Sequence, residues 1–220
     1  MIQLTAVDGH MFDAYEAHPD GATASIAIIQ EIFGVNAYVR SVVDQYASFG
    51  YRVIAPALFD RVERGVELDY DTEGVEMGRD MAMAIRWEPA MTDLAATVAH
   101  VAETGPVAVI GYCFGGSLAW LAANELPVAA AVGYYGGQIH EFIDRAPNAP
   151  TLLHFGALDH AIPLDHVEAI ASQHPLVPVH VYQGAQHGFS CDRRGSHHAL
   201  SAAVALGRTL EFLVANGVGP

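Results

Sequence analysis

Apolar side chains in this chain fall into short continuous runs rather than long periodic ones. Ser25–Gln30 (SIAIIQ), Tyr51–Ala55, Val107–Gly111, Ala129–Tyr134, Thr151–Phe155 and Val179–Tyr182 each read as a strand covered on both faces. Segments with helical spacing lie among them: Val39–Phe49, Met91–Glu103, Gly116–Asn124 and Leu164–His174. A last helix is marked by Leu200, Val204, Leu206, Leu210 and Leu213, which share one face. Strands alternating with helices predict an α/β fold with a mostly parallel sheet and helices on both sides. At the N-terminus, Ile2–Val7 and Met11–Ala17 flank Asp8-Gly9, a dipeptide favoured where both turn residues take positive φ, so a small hairpin is expected there. No repeat, low-complexity tract or linker interrupts the pattern, and residues 1–220 read as one domain.

One segment breaks the rhythm. Asp60–Asp80 is polar and acidic, with Glu63, Glu67, Asp69, Asp71, Glu73 and Glu76 against Arg61, Arg64 and Arg79. It reads either as a solvated excursion that aids solubility or as a cap shaping access to a site.

Composition narrows the function. With 52% apolar residues the chain can bury a sizeable core. A net charge of −15 excludes a protein that grips nucleic-acid backbones, which requires a basic face. No apolar stretch approaches the roughly 18 residues of a membrane helix, and MIQLTAVDGH lacks the basic and apolar regions of a signal peptide. Two cysteines, Cys113 and Cys191, make no disulfide scaffold and suit a reducing compartment, so a cytoplasmic location is expected. A monomer suffices for this pattern, which leaves the oligomeric state open.

The chemistry concentrates at Gly111-Tyr112-Cys113-Phe114-Gly115-Gly116, which follows the strand run VAVI and precedes a helical segment. That is the setting of a nucleophile elbow, in which a sharp strand-to-helix turn strains the central residue and flanking glycines remove colliding side chains. Here the centre is cysteine. At the N-terminal end of a helix its thiolate is favoured. Asp159 and His187 follow in the chain order nucleophile, acid, histidine, each just past a strand run, where parallel sheets build their sites. His187 would take the thiol proton and return it to the leaving group; Asp159 would fix the imidazole. Among the other histidines, His154 reads as a core residue, and His197 and His198 as surface. No H-E-x-x-H or C-x-x-C spacing supports a metal site, and no cofactor is called for.

GYCFGG, Gln30–Asn36 (QEIFGVN), Ala131–Gly136 (AVGYYG), Asp159 and Ala185–Phe189 together resemble the dienelactone hydrolase (carboxymethylenebutenolidase) family, over about Asp13 to Leu213. The resemblance implies an α/β-hydrolase fold and a Cys113–His187–Asp159 triad acting on small-molecule esters or lactones, with dienelactone the best named substrate. It implies that Glu31 interacts with the resting cysteine and helps generate the thiolate. It also implies an oxyanion hole from the backbone N–H groups of Ile32 and Phe114. Family members hold the substrate carboxylate with two arginines, one preceding a tryptophan and one following the histidine. The nearest candidates are Arg79, Trp87, Arg193 and Arg194, with Tyr135 as a further substrate contact, although the spacing is shifted and Cys191 stands four residues after His187. The acidic charge and the Asp60–Asp80 segment weigh against easy capture of an anionic lactone. Cys191 reads as a packing residue, or as a second thiol able to oxidise with Cys113.

Overall fold

Each apolar run becomes a strand in a computed structural model describing all 220 residues. The strands are β1 (Ile2–Thr5), β2 (Met11–Ala17), β3 (Ser25–Ile29), β4 (Arg52–Pro56), β5 (Val107–Tyr112), β6 (Ala130–Tyr134), β7 (Thr151–Gly156) and β8 (Val179–Tyr182). They form one sheet in the order β1-β2-β4-β3-β5-β6-β7-β8. Pairing is parallel from β4 to β8 and antiparallel only where β1 and β2 are added at the edge. Strands β3 to β7 are buried along their whole length, which is why they read as unbroken apolar runs rather than alternating ones.

The hairpin forms, but its turn differs from expectation. Only Gly9 has positive φ, at 85°. The Gly9 N–H donates to the Ala6 carbonyl and the Ala6 N–H to the His10 carbonyl, so the loop is wider than a two-residue turn. One left-handed residue is then enough.

Six helices cover the sheet: α1 (Ala37–Ser48), α2 (Thr72–Ile85), α3 (Trp87–Val101), α4 (Phe114–Glu125), α5 (Leu164–Gln173) and α6 (Ala199–Ala215). Helices α1 and α6 flank a common groove on one face, while α3 and α4 pack together on the other. A single cluster of 55 buried residues runs through both layers. None of the helices is long and apolar enough to cross a membrane.

The acidic segment is more ordered than a solvated excursion. A 3-10 turn over Leu58–Arg61 leads to a loop and then to α2, whose N-cap Asp71 accepts from the Gly74 N–H at 2.8 Å. Gly74, Gly78, Met81 and Ile85 form its buried stripe.

Strand order also locates the site. The chain winds from β3 to β4 in one direction and from β5 to β8 in the other, leaving a crevice beyond the carboxyl ends of β3 and β5. Cys113 follows β5, and Glu31 lies just past the end of β3.

Candidate active site

Cys113 stands between β5 and α4 with φ 55° and ψ −114°, a conformation few side-chain-bearing residues accept. Its surroundings hold it there. The Cys113 N–H donates to the Tyr134 carbonyl at 2.9 Å, and its carbonyl accepts from the Gly116 N–H at 2.9 Å. The glycines are required by close approach: a Cβ on Gly111 would land on the Gly115 carbonyl, one on Gly115 on the Ile29 carbonyl, and one on Gly116 on the Tyr134 carbonyl.

His187 and Asp159 arrive from two neighbouring loops. At the end of β7, the Leu158 N–H donates to the Ala185 carbonyl at 2.8 Å, tying the two loops together. The His187 Nδ1–H donates to Asp159 Oδ2 at 2.8 Å, and His187 Nε2 lies 3.1 Å from Cys113 Sγ. The other Asp159 oxygen accepts from the Ala161 and Ile162 N–H groups at 2.8 and 3.2 Å, which locks the carboxylate against rotation. Burial opposes a charge on His187. The Cys113 sulfur and the Asp159 carboxylate outweigh it, and the imidazole is raised to about 10.

Glu31 is buried and makes no hydrogen bond with Cys113 in this arrangement. Its Oε1 accepts from Arg194 Nη1 at 3.3 Å, and its Oε2 has no partner. Burial raises the Glu31 carboxyl, and the nearby Arg194 charge pulls it back. Arg194 is itself wedged between rings, 5.6 Å from the Phe33 centroid and 5.8 Å from that of Tyr70. Phe114 opens α4, so its N–H lies outside the helical ladder, and the Ile32 N–H has no backbone acceptor.

A cavity of about 850 Å³ opens over these groups, and Cys113, His187, Arg79, Trp87 and Arg194 all border it. Two expected substrate contacts lie elsewhere. Arg193 points into solvent, paired with the equally exposed Asp192 at 3.5 Å, and does not border the cavity. Tyr135 is fully buried beneath the site; its ring packs edge-on against His187 at 5.0 Å and its hydroxyl shares a hydrogen bond with Ser190 at 2.8 Å. It packs behind the histidine and does not border the cavity.

Arg86 and Arg145 border the cavity as well and were not among the residues expected from sequence. Arg86 had a signal: it immediately precedes Trp87. Arg145 had none, since its ion pair with Glu125, at 2.9 Å, joins the end of α4 to a loop 20 residues further along the chain. All ten basic residues of the chain are arginines, and four of them line this cavity. The acidic segment even supplies one, Arg79. Glu88, Glu125 and Glu141 line it too, so the cavity wall holds four arginines to three glutamates, against 10 arginines to 25 Asp and Glu in the whole chain.

Cys191 is buried. Burial and then the Glu31 charge push its thiol up to about 12, so it packs as a neutral group. His154 is a core residue bonded to the Tyr182 hydroxyl at 2.8 Å and to Thr209 Oγ1 at 3.1 Å, and burial holds it well below the usual imidazole range. No three His, Cys, Asp or Glu side chains converge as metal ligands.

Residues 12–216 match the model of the dienelactone hydrolase family. The chain belongs to that family. The carboxymethylenebutenolidase of Pseudomonas putida is 35% identical, over 96% of this chain and 94% of its own. One from Pseudomonas sp. strain P51 is 33% identical, over 96% and 93%. Among solved structures, a Klebsiella pneumoniae protein provisionally named dienelactone hydrolase superposes with a TM-score of 0.84 at 27% identity, over 97% of this chain and 98% of that one. This dienelactone hydrolase family member thus has the α/β-hydrolase fold and is a hydrolase acting on esters or lactones.

Proposed function

We propose that this hydrolase works through a Cys113 thiolate and an acyl-enzyme, opening enol-lactones and activated esters. The observation that carries the reading is the aligned chain Cys113 Sγ, His187, Asp159, with links of 3.1 and 2.8 Å, set on a strained strand-to-helix turn.

His187 holds the thiol proton while Sγ attacks the substrate carbonyl, and Asp159 steadies the imidazolium. Negative charge that develops on the carbonyl oxygen meets the Ile32 and Phe114 N–H groups, each worth on the order of 3 kcal/mol to the barrier. Collapse breaks the carbon–oxygen bond; His187 gives its proton to the departing oxygen, and the acyl group stays on sulfur. Water then attacks the thioester, His187 takes up its proton, and Cys113 leaves as thiolate. For a lactone, both halves remain in one molecule, so the net change is addition of one water across the ring ester.

A thiolate suits a substrate whose oxygen leaves as an enolate. An amide is a poor substrate here, because its tetrahedral intermediate expels thiolate before the amine is protonated. Dienelactone, giving maleylacetate, is the best single named candidate. Arg79 and Arg86, which border the cavity without a carboxylate partner of their own, supply charges for its carboxylate.

The test compares wild type with Cys113→Ala and His187→Ala on dienelactone and on p-nitrophenyl acetate. Each variant is expected to lose about 10³-fold or more in kcat/KM. Mass mapping after iodoacetamide at neutral pH is expected to find label on Cys113 and none on Cys191. Equal rates for all three proteins would overturn the reading.

A further inference from the structure

The cavity is longer than a small lactone needs. Leu121 and Glu125 both border it, and they lie on α4 at about 12 and 18 Å beyond Cys113, at roughly 1.5 Å per helical residue. An aromatic wall spans that length. Phe114, next to the nucleophile, stacks on Trp87 with centroids 5.2 Å apart. Trp87 meets Phe142 edge-on at 5.1 Å, and the Arg145 guanidinium lies over the Phe142 ring at 5.4 Å. The Arg145–Glu125 pair marks the far end. Of the 23 residues around the cavity, 13 are hydrophobic, among them Phe114, Trp87, Met91, Leu121 and Phe142, so it offers an apolar wall beside its charged groups.

Resting on the ester and lactone hydrolase reading above, we propose that this channel is an acyl-chain site. Among open-chain esters, the preferred substrates carry an extended apolar substituent of medium length on the acyl carbon. Direction follows from the chemistry. His187 must reach the departing oxygen, so the leaving group lies on the histidine side. The acyl carbon stays on Sγ, and its substituent runs the other way, past Phe114 and Trp87 toward Leu121. Each methylene laid against that wall is removed from water, and the gain accumulates with length until the chain meets the Arg145–Glu125 pair.

The experiment is a p-nitrophenyl ester series from acetate through butanoate and hexanoate to octanoate. The value of kcat/KM is expected to rise at least tenfold from acetate to octanoate. In Leu121→Trp, which plugs the channel, the octanoate-to-acetate ratio is expected to fall toward one. A measurement on wild type alone backs this: free octanoate should inhibit acetate-ester turnover at a concentration at least tenfold below that of free acetate. A flat or falling series, with equal inhibition by the two acids, would overturn the acyl-chain site while Cys113-dependent turnover of the acetate ester kept the hydrolase reading intact. Turnover that persists undiminished in Cys113→Ala would instead remove the reading on which the proposal rests.

Discussion

In the proposed reaction His187 meets two demands at once: it holds a proton beside sulfur, yet it is largely enclosed. Burial alone would lower an imidazole, but the Cys113 sulfur on one nitrogen and Asp159 on the other reverse the sign, to about 10. A folded value raised above the usual 6.5 means the charged form stabilises the fold. That contribution is complete below pH 6.5 and is lost as pH climbs through about 10. In the proposed reaction the same proton goes to the leaving oxygen, so the alkaline limb of kcat/KM for an alkyl ester is expected near pH 10. A pH–rate profile falling near pH 7, as for an unassisted imidazole, would contradict the pairing. At this scale Cys113, Asp159 and His187 were legible because glycine spacing and chain order encode them. The Glu31–Arg194 contact was not. It depends on the path of the loop after His187, and no periodicity in the sequence describes a loop path.

Helix α2 shows how a legible pattern fails at the level of an element. Its buried stripe consists of two glycines, a methionine and an isoleucine, so its inward face carries little apolar signal and its acidic outward face dominates the reading. The covered strands had the opposite property and were found within a residue or two. Gly78 explains the unusual stripe: a Cβ there would land on the Ile32 carbonyl. Helix and loop touch backbone to backbone, which fixes the residue whose N–H is proposed to meet the oxyanion. Gly78→Val is therefore expected to lower kcat about tenfold or more while leaving the far-ultraviolet circular dichroism unchanged, since a displaced donor costs transition-state stabilisation rather than fold. Wild-type kcat in that variant would show that the contact has no bearing on the reaction.

Across the whole molecule, charge is distributed unevenly. The chain carries −15 overall, yet four of its ten arginines line the cavity, leaving the remaining surface still more acidic than the average. Self-repulsion of that surface opposes the compact state and is screened by salt, with a Debye length near 10 Å at 0.1 M. Tm at pH 7.5 is accordingly expected to rise by roughly a few degrees between 10 and 300 mM NaCl; a thermal melt showing a fall would mean that surface ion pairs such as Arg40–Glu67 outweigh the repulsion. Net charge was legible from composition, but its partition was not, because Arg79, Arg86, Arg145 and Arg194 come from separate segments that only the fold assembles. The all-arginine basic set has one more chemical consequence. The thioester proposed on Cys113 would be an acylating agent, and a lysine amine within reach would capture the acyl group permanently as an amide. Guanidinium groups stay protonated and do not compete. With no lysine side chain anywhere in the sequence, the proposed thioester is expected to persist when stalled until water or an added nucleophile such as hydroxylamine releases it, without capture as a lysine amide.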